Sequence, residues 1–247
     1  MSHMRVSFFG DSIKKQTSMT VILPQDAKGD GPFPVLYLLH GLSDDDTIWE
    51  RRTSIERYVA AMPLIVVMPD GGRGFYTDAV QGMAYESHIM EDVIGFTERF
   101  FPAMRERKGR AIGGLSMGGY GSMKLALKYP DAFCSVVSHS SAFDVRRRVE
   151  NQERAPEFRM IFGDDPAGKD NDPFRLAEVI DRRKLPAIRI DCGTEDGLIE
   201  ESRAFHKHLE KLGIQHEYAE YPGAHNWAFW DEHVQEALRF HARALGI

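Results

Sequence analysis

Apolar residues along this chain gather in short runs separated by longer stretches of mixed character. Two runs, VLYLL at 35–39 and LIVVM at 64–68, carry no charged or turn-forming position, as expected of strands covered on both faces. Further strand-like segments follow at 110–115, 133–138 (FCSVVS), 187–192 (AIRIDC) and 216–220. Between them the spacing turns helical, over 54–61, 86–107, 117–129, 199–212 and 231–244. Within 86–107, Ile89, Val93, Ile94, Phe96 and Phe100 share one side, and Pro102 is expected to end or kink the helix. The chain opens differently: RVSFF (5–9) and SMTVIL (18–23), separated by polar turn residues, predict an antiparallel pair, and GDGPFP (29–34) then breaks the chain. Strands alternating with helices predict an α/β fold, a mostly parallel sheet of about eight strands with helices on both faces.

One region interrupts this alternation. Residues 143–183 separate two core strands, too long for an ordinary connection and too polar for core, and a lid or an oligomer contact is the expectation. Its Arg146, Arg147 and Arg148 are expected on a solvated helix face rather than on an anionic ligand. The chain has no internal repeat and no low-complexity linker.

Composition narrows the function classes. At 247 residues with 43% hydrophobic and 28% charged positions, the chain suits a single α/β domain, 1–247, with a large core. A formal charge of −6 argues against a nucleic-acid or anionic-membrane partner. The two cysteines, Cys134 and Cys192, sit in apolar strand-like segments and are expected as small buried hydrophobes rather than a disulfide. The opening MSHM reads as a cloning remnant before a natural start at Met4. With neither an apolar leader nor a membrane span, the expectation is a soluble, cytoplasmic protein.

Chemistry concentrates in GRAIGGLSMGGYG (109–121), where one serine stands among glycines. Gly114-Leu115-Ser116-Met117-Gly118 fits G-x-S-x-G, a weak pattern alone, but here it lies where a predicted strand hands over to a predicted helix. Such a turn strains the serine backbone and leaves no room for neighbouring side chains, which the glycines supply. A flexible loop would not explain the flanking apolar runs. A serine hydroxyl needs a base, and the base an acid, expected later in the chain on loops after the last strands. GTEDGLIEE offers Asp196, preferred over Glu195 and Asp191. PGAHNWAFW offers His225; His206, His208, His233 and His241 fall on predicted helices, His216 opens a strand, and His40 is a rival base upstream of the serine. Oxyanion donors are expected from the main-chain N–H groups of Met117 at the helix start and of Leu42 in LLHGLSDD.

Trp49, Tyr76, Trp227, Phe229 and Trp230 cluster near these loops; core packing accounts for most such aromatics, with Trp227 the leading candidate for a pocket wall and Trp49 and Tyr76 further substrate-binding candidates. The acidic run Asp44–Asp46 reads as a solvated turn rather than a cation site, and no metal or other cofactor is expected. GLSMGGYG lacks the spacing of a dinucleotide fingerprint.

Five segments, VLYLLHGLSDDDTIWERRT, LIVVMPDGGRGFYTD, AIGGLSMGGYGSMKLALKYPDAF, CGTEDGLIEE and PGAHNWAFWDE, together resemble the Putative esterase (esterase D-like) family of α/β-hydrolases, closest to bacterial tributyrin, acetyl and feruloyl esterases. The likeness runs from about residue 5 to the C-terminus and is weakest in 143–183. It implies Ser116 as nucleophile, Asp196 as acid and His225 as base, with Leu42 and Met117 forming the oxyanion hole, in a serine carboxylesterase acting on small short-chain acyl esters. It also admits a homo-oligomer, with 143–183 or the sheet edge as contacts. The wider family includes S-formylglutathione hydrolases, which tend to show a histidine before the serine and are longer, and mycolyl transferases, which carry a secretion signal. A thioesterase of the S-formylglutathione type, or a non-catalytic hydrolase-like binding protein, are the alternatives.

Overall fold

The computed structural model describes residues 1–25, 31–151 and 153–247; residues 29 and 30 of the expected chain break and residue 152 of the insertion lie outside them. The strands are β1 (Ser2–Gly10), β2 (Lys15–Leu23), β3 (Val35–Leu39), β4 (Ile65–Pro69), β5 (Arg110–Leu115), β6 (Ser135–His139), β7 (Ala187–Gly193) and β8 (Glu217–Tyr221). They form one sheet in the order β1-β2-β4-β3-β5-β6-β7-β8. β2 runs antiparallel to β1 and to β4, and every pairing from β4 to β8 is parallel. The buried runs at β3 and β4 lie side by side within the sheet, as their lack of a polar face requires.

The helices are α1 (Ile48–Arg52), α2 (Ile55–Val59), α3 (Tyr85–Ser87), α4 (Ile94–Phe100), α5 (Met117–Lys128), α6 (Val145–Glu150), α7 (Ala155–Phe162), α8 (Pro173–Val179), α9 (Ile199–Lys211) and α10 (Trp227–Leu245). One core cluster packs Tyr37, Val67, Ile112, Tyr120, Met123, Phe143 and Phe205 between the sheet, α5 and α9. A second, including Leu36, Leu38, Trp49, Leu115, Trp230 and Val234, lies on the opposite face under α1, α2 and α10. At about 25 cal/mol per Å² of apolar surface removed from water, these two layers are the main force fixing the sheet.

Several boundaries differ from the sequence expectation. The helix expected over 86–107 ends at Phe100, because Pro102 disfavours helical backbone at Phe101, which is extended (φ −113°, ψ 159°). Its middle, His88–Val93, is a π-helical segment joining α3 to α4. The helix expected at 54–61 is shorter and is preceded by α1. The strand expected over 133–138 is displaced to Ser135–His139. α10 starts at Trp227 rather than 231, capped by Asn226, whose side chain accepts the Phe229 N–H at 3.1 Å.

The insertion is less polar in its packing than in its composition. Val145, Val149, Phe158, Ile161, Phe162, Leu176 and Ile180 are buried and extend the first core cluster, while the polar sides of these helices face outward. Arg146 and Arg147 are exposed as expected, although Arg147 also reaches the buried Glu201 of α9, whereas Arg148 is largely withdrawn from solvent by its pair with Glu201. Both cysteines are free; Cys192 is buried as expected, whereas Cys134 is only half-buried. No helix among the described residues is long and apolar enough to cross a membrane.

Candidate active site

Parallel strands share a direction, so the loops after β3, β5, β7 and β8 emerge at one end of the sheet. There β5 hands over to α5 through Ser116, whose backbone is left-handed (φ 54°, ψ −115°). A non-glycine residue held in such a region costs on the order of 1–3 kcal/mol. Ser116 is pinned there because its N–H donates to the carbonyl of His139 (2.8 Å) and its own carbonyl accepts from Tyr120 (3.0 Å). Glycine is required on both sides: a Cβ on Gly118 would strike the carbonyls of Leu39 and His40, and one on Gly114 the backbone of Gly118.

His225 lies in the loop between β8 and α10, with its Nε2 3.1 Å from Ser116 Oγ and its Nδ1 2.8 Å from Asp196 Oδ2. A carboxylate at Nδ1 fixes the proton on that nitrogen and leaves the Nε2 lone pair toward the hydroxyl. Asp196 is buried, and its other oxygen accepts the Leu198 N–H at 2.8 Å. Burial pushes its carboxyl pKa up, but the hydrogen bond and charge of His225 and the Leu198 amide outweigh this, and it lies below the ordinary value.

Three rivals are set aside by geometry. Glu195 is exposed, and its carboxylate accepts a hydrogen bond from the neighbouring Thr194 hydroxyl rather than from His225. Asp191 is fully buried and holds His139 instead, 2.6 Å from its Nδ1. His40 is buried with both nitrogens engaged: Nε2 accepts the Gly71 N–H (2.9 Å), so Nδ1 carries the proton and donates to the Gly41 carbonyl (2.7 Å). It has no lone pair left for a base.

Ser116 opens into a cleft of about 460 Å³ lined by Gly41, Leu42, Asp44, Arg73, Arg154, Trp227 and Trp230 among others. A groove of similar size, about 470 Å³, between α2 and α10 has no serine, cysteine, histidine, aspartate or glutamate in its lining, so volume alone does not mark the site. The acidic run divides. Asp46 is buried and takes Arg5, Ser18 and Thr20, tying this loop to β1 and β2, which corrects the expectation of a solvated turn. Asp44 lines the cleft, and its partial burial raises its pKa.

Trp227 edges the cleft, held edge-on between Trp49 and Trp230 at centroid distances of 5.3 and 5.1 Å. Trp49 and Tyr76 do not reach the cleft, contrary to their expected contact with substrate. Both are buried: the Trp49 indole donates to Leu39 and the Tyr76 hydroxyl to His40, so they support the wall from behind. The sequence reading missed Arg73, Asp44 and Arg154. Arg73 forms a two-point bridge to Glu157 of α7 (2.6 and 2.8 Å), which holds the insertion against the rim of the cleft. Nothing in the spacing of Arg73 and Glu157 pointed to this pair, 84 positions apart.

A mostly parallel eight-stranded sheet, with a strained serine after β5 and an aspartate and histidine on later loops, defines the α/β-hydrolase fold. The chain belongs to the Putative esterase family, whose model matches residues 10–241, and it is a carboxylic ester hydrolase. It is 31% identical to an acetyl esterase of Caldicellulosiruptor saccharolyticus over 97% of this chain and 98% of the relative. Its structure is similar to FphF, a fluorophosphonate-binding serine hydrolase of Staphylococcus aureus, with a TM-score of 0.88, 29% identity and coverage of 97% and 98%. The S-formylglutathione hydrolase FrmB of the same organism is similar with a TM-score of 0.86, 29% identity and the same coverage.

Proposed function

We propose that the protein is a serine carboxylesterase acting on small esters of short acyl groups, acetyl or butyryl in kind, through an acyl-enzyme. The observation that carries this is the unbroken hydrogen-bonded line Ser116–His225–Asp196 at the floor of an open cleft. In this reading His225 Nε2 takes the Ser116 proton as Oγ attacks the ester carbonyl. Asp196 holds the ring and stabilises its charge. The tetrahedral intermediate collapses, the C–O bond to the alcohol breaks, and His225 returns the proton to the leaving oxygen. Water, deprotonated by the same nitrogen, then cleaves the acyl-enzyme and restores Ser116.

The developing oxyanion is assigned to the N–H groups of Met117 and Leu42. Met117 is the first residue of α5, where N–H groups lack a carbonyl one turn back and carry the positive end of the helix dipole. For Leu42 the support is peptide geometry: its N–H shares a plane with the Gly41 carbonyl and points the opposite way. His40 Nδ1 anchors that carbonyl while the Gly71 N–H holds the ring at Nε2, which fixes the direction of the Leu42 N–H. Trp227 is assigned to the acyl-pocket wall, since its packing against Trp49 and Trp230 leaves it little freedom to retreat from a longer chain.

The short-acyl preference draws on the acetyl esterase relative. The likeness to FrmB favours a second reading, a thioesterase of the S-formylglutathione type using the same residues. Hydrolysis of p-nitrophenyl acetate, butyrate and octanoate, with S-formylglutathione in parallel, separates them. Turnover falling with chain length and lost in Ser116→Ala supports the esterase; preference for the thioester selects the second reading; full activity in Ser116→Ala contradicts both.

A further inference from the structure

Ser140, just after β6, is left-handed (φ 48°) although it carries a side chain, and it is fully buried. Such a conformation persists only where its surroundings compel it, and it clusters at functional sites. The neighbours of Ser140 are those of the site. Its N–H donates to the Asp191 carbonyl (2.8 Å), and the residue before it, His139, holds the Ser116 N–H. Its hydroxyl accepts the indole N–H of Trp230 at 3.1 Å. The Trp230 ring in turn stands edge-on to the His225 imidazole, with centroids 4.9 Å apart and planes at 89°.

We infer that Ser140 is a positioning residue, whose hydroxyl holds the Trp230 indole and thereby holds the plane of His225. Two hydrogen bonds, to Asp196 and Ser116, fix the ends of the imidazole but not its tilt. The side chain of His225 is 36% exposed, so enclosure by the surrounding protein does not fix it either. The Trp230 ring supplies the missing constraint, and the Ser140 hydroxyl fixes the orientation of that ring. A misplacement of about 1 Å at a reacting group costs on the order of a hundredfold in rate, which gives this linkage its effect. The inference rests on the roles proposed above for Ser116, His225 and Asp196.

Two substitutions test it. Ser140→Gly removes the hydroxyl while relieving the backbone, so a merely structural serine would leave turnover per folded molecule unharmed. Trp230→Phe keeps a ring and removes the N–H. For Ser140→Gly the expected result on p-nitrophenyl acetate is an unchanged or higher melting temperature, kcat lowered about tenfold or more, and KM within about twofold of wild type. Trp230→Phe should lower kcat in the same sense, and the double variant should be no slower than Ser140→Gly alone, because both remove one shared bond. Wild-type kcat in Ser140→Gly overturns the inference; where that variant fails to fold, wild-type kcat in folded Trp230→Phe does so. Ser116→Ala, run beside them, separates the cases: if it is inactive while Ser140→Gly is at wild-type rate, the esterase reading stands and this inference falls.

Discussion

His225–Asp196 and His139–Asp191 are built from the same two side chains at nearly the same spacing, 2.8 and 2.6 Å from Nδ1 to the carboxylate. They lie at the same end of the sheet, His139 and Asp191 facing each other across β6 and β7. The difference is at the second nitrogen. His225 Nε2 meets Ser116 Oγ at the edge of an open cleft, whereas His139 Nε2 is buried with no hydrogen-bond partner among the described residues. In the mechanism proposed here, a histidine–aspartate pair serves as a base only where its other nitrogen faces a hydroxyl and space for substrate. Enclosed, the same pair is a polar fastening of the sheet beneath the elbow, with the His139 backbone carbonyl holding Ser116 in place.

Breaking the reactive side should produce the largest effects. Ser116→Ala is expected to lower kcat on p-nitrophenyl acetate at least about 10⁴-fold with the fold intact by circular dichroism. Asp196→Asn, which keeps the shape but favours the wrong imidazole tautomer, is expected to lower kcat about 10³- to 10⁴-fold, while Glu195→Gln leaves it at wild type. The enclosed pair should respond in the opposite coordinate. Asp191→Asn is expected to cost about 3 kcal/mol in urea unfolding, because it breaks a buried pair, while kcat per folded molecule stays within about threefold.

Trp227→Ala sharpens the comparison on the substrate side: kcat/KM for octanoate relative to acetate should rise about tenfold, and an unchanged ratio would remove Trp227 from the acyl wall. The smallest effect is on pH. The Asp196 carboxyl sits below its ordinary value of 3.8 in the fold, so its contribution to stability is complete above that value. It is lost as pH falls through the lower folded value, because the unfolded chain takes up the proton first. Asp196→Asn should therefore flatten the acid limb of stability in urea titrations.

Much of this was legible in order and spacing. β3 and β4 announce themselves because a strand buried on both faces has no polar position to confuse its period. Ser116, Asp196 and His225 follow from the sequence of elements, since the fold delivers successive loops to one end of the sheet. What stayed hidden depends on distant partners. Asp46 looks solvated beside Asp44 and Asp45, yet it is buried by Arg5, Ser18 and Thr20, 26 to 41 positions away. His139 carries no local signal at all; only the register that sets it against Asp191 explains it. The aromatic run at 227–230 reads as loop until the Asn226 cap is counted, which starts α10 one turn early and turns Trp230 toward His225.

The most direct test is the rate of covalent modification by a fluorophosphonate, followed by intact mass and peptide mapping. The account predicts one adduct, on Ser116, forming at least about a hundredfold more slowly in Asp196→Asn and at near wild-type rate in Asp191→Asn. An adduct on another residue, or an undiminished rate in Asp196→Asn, would contradict it.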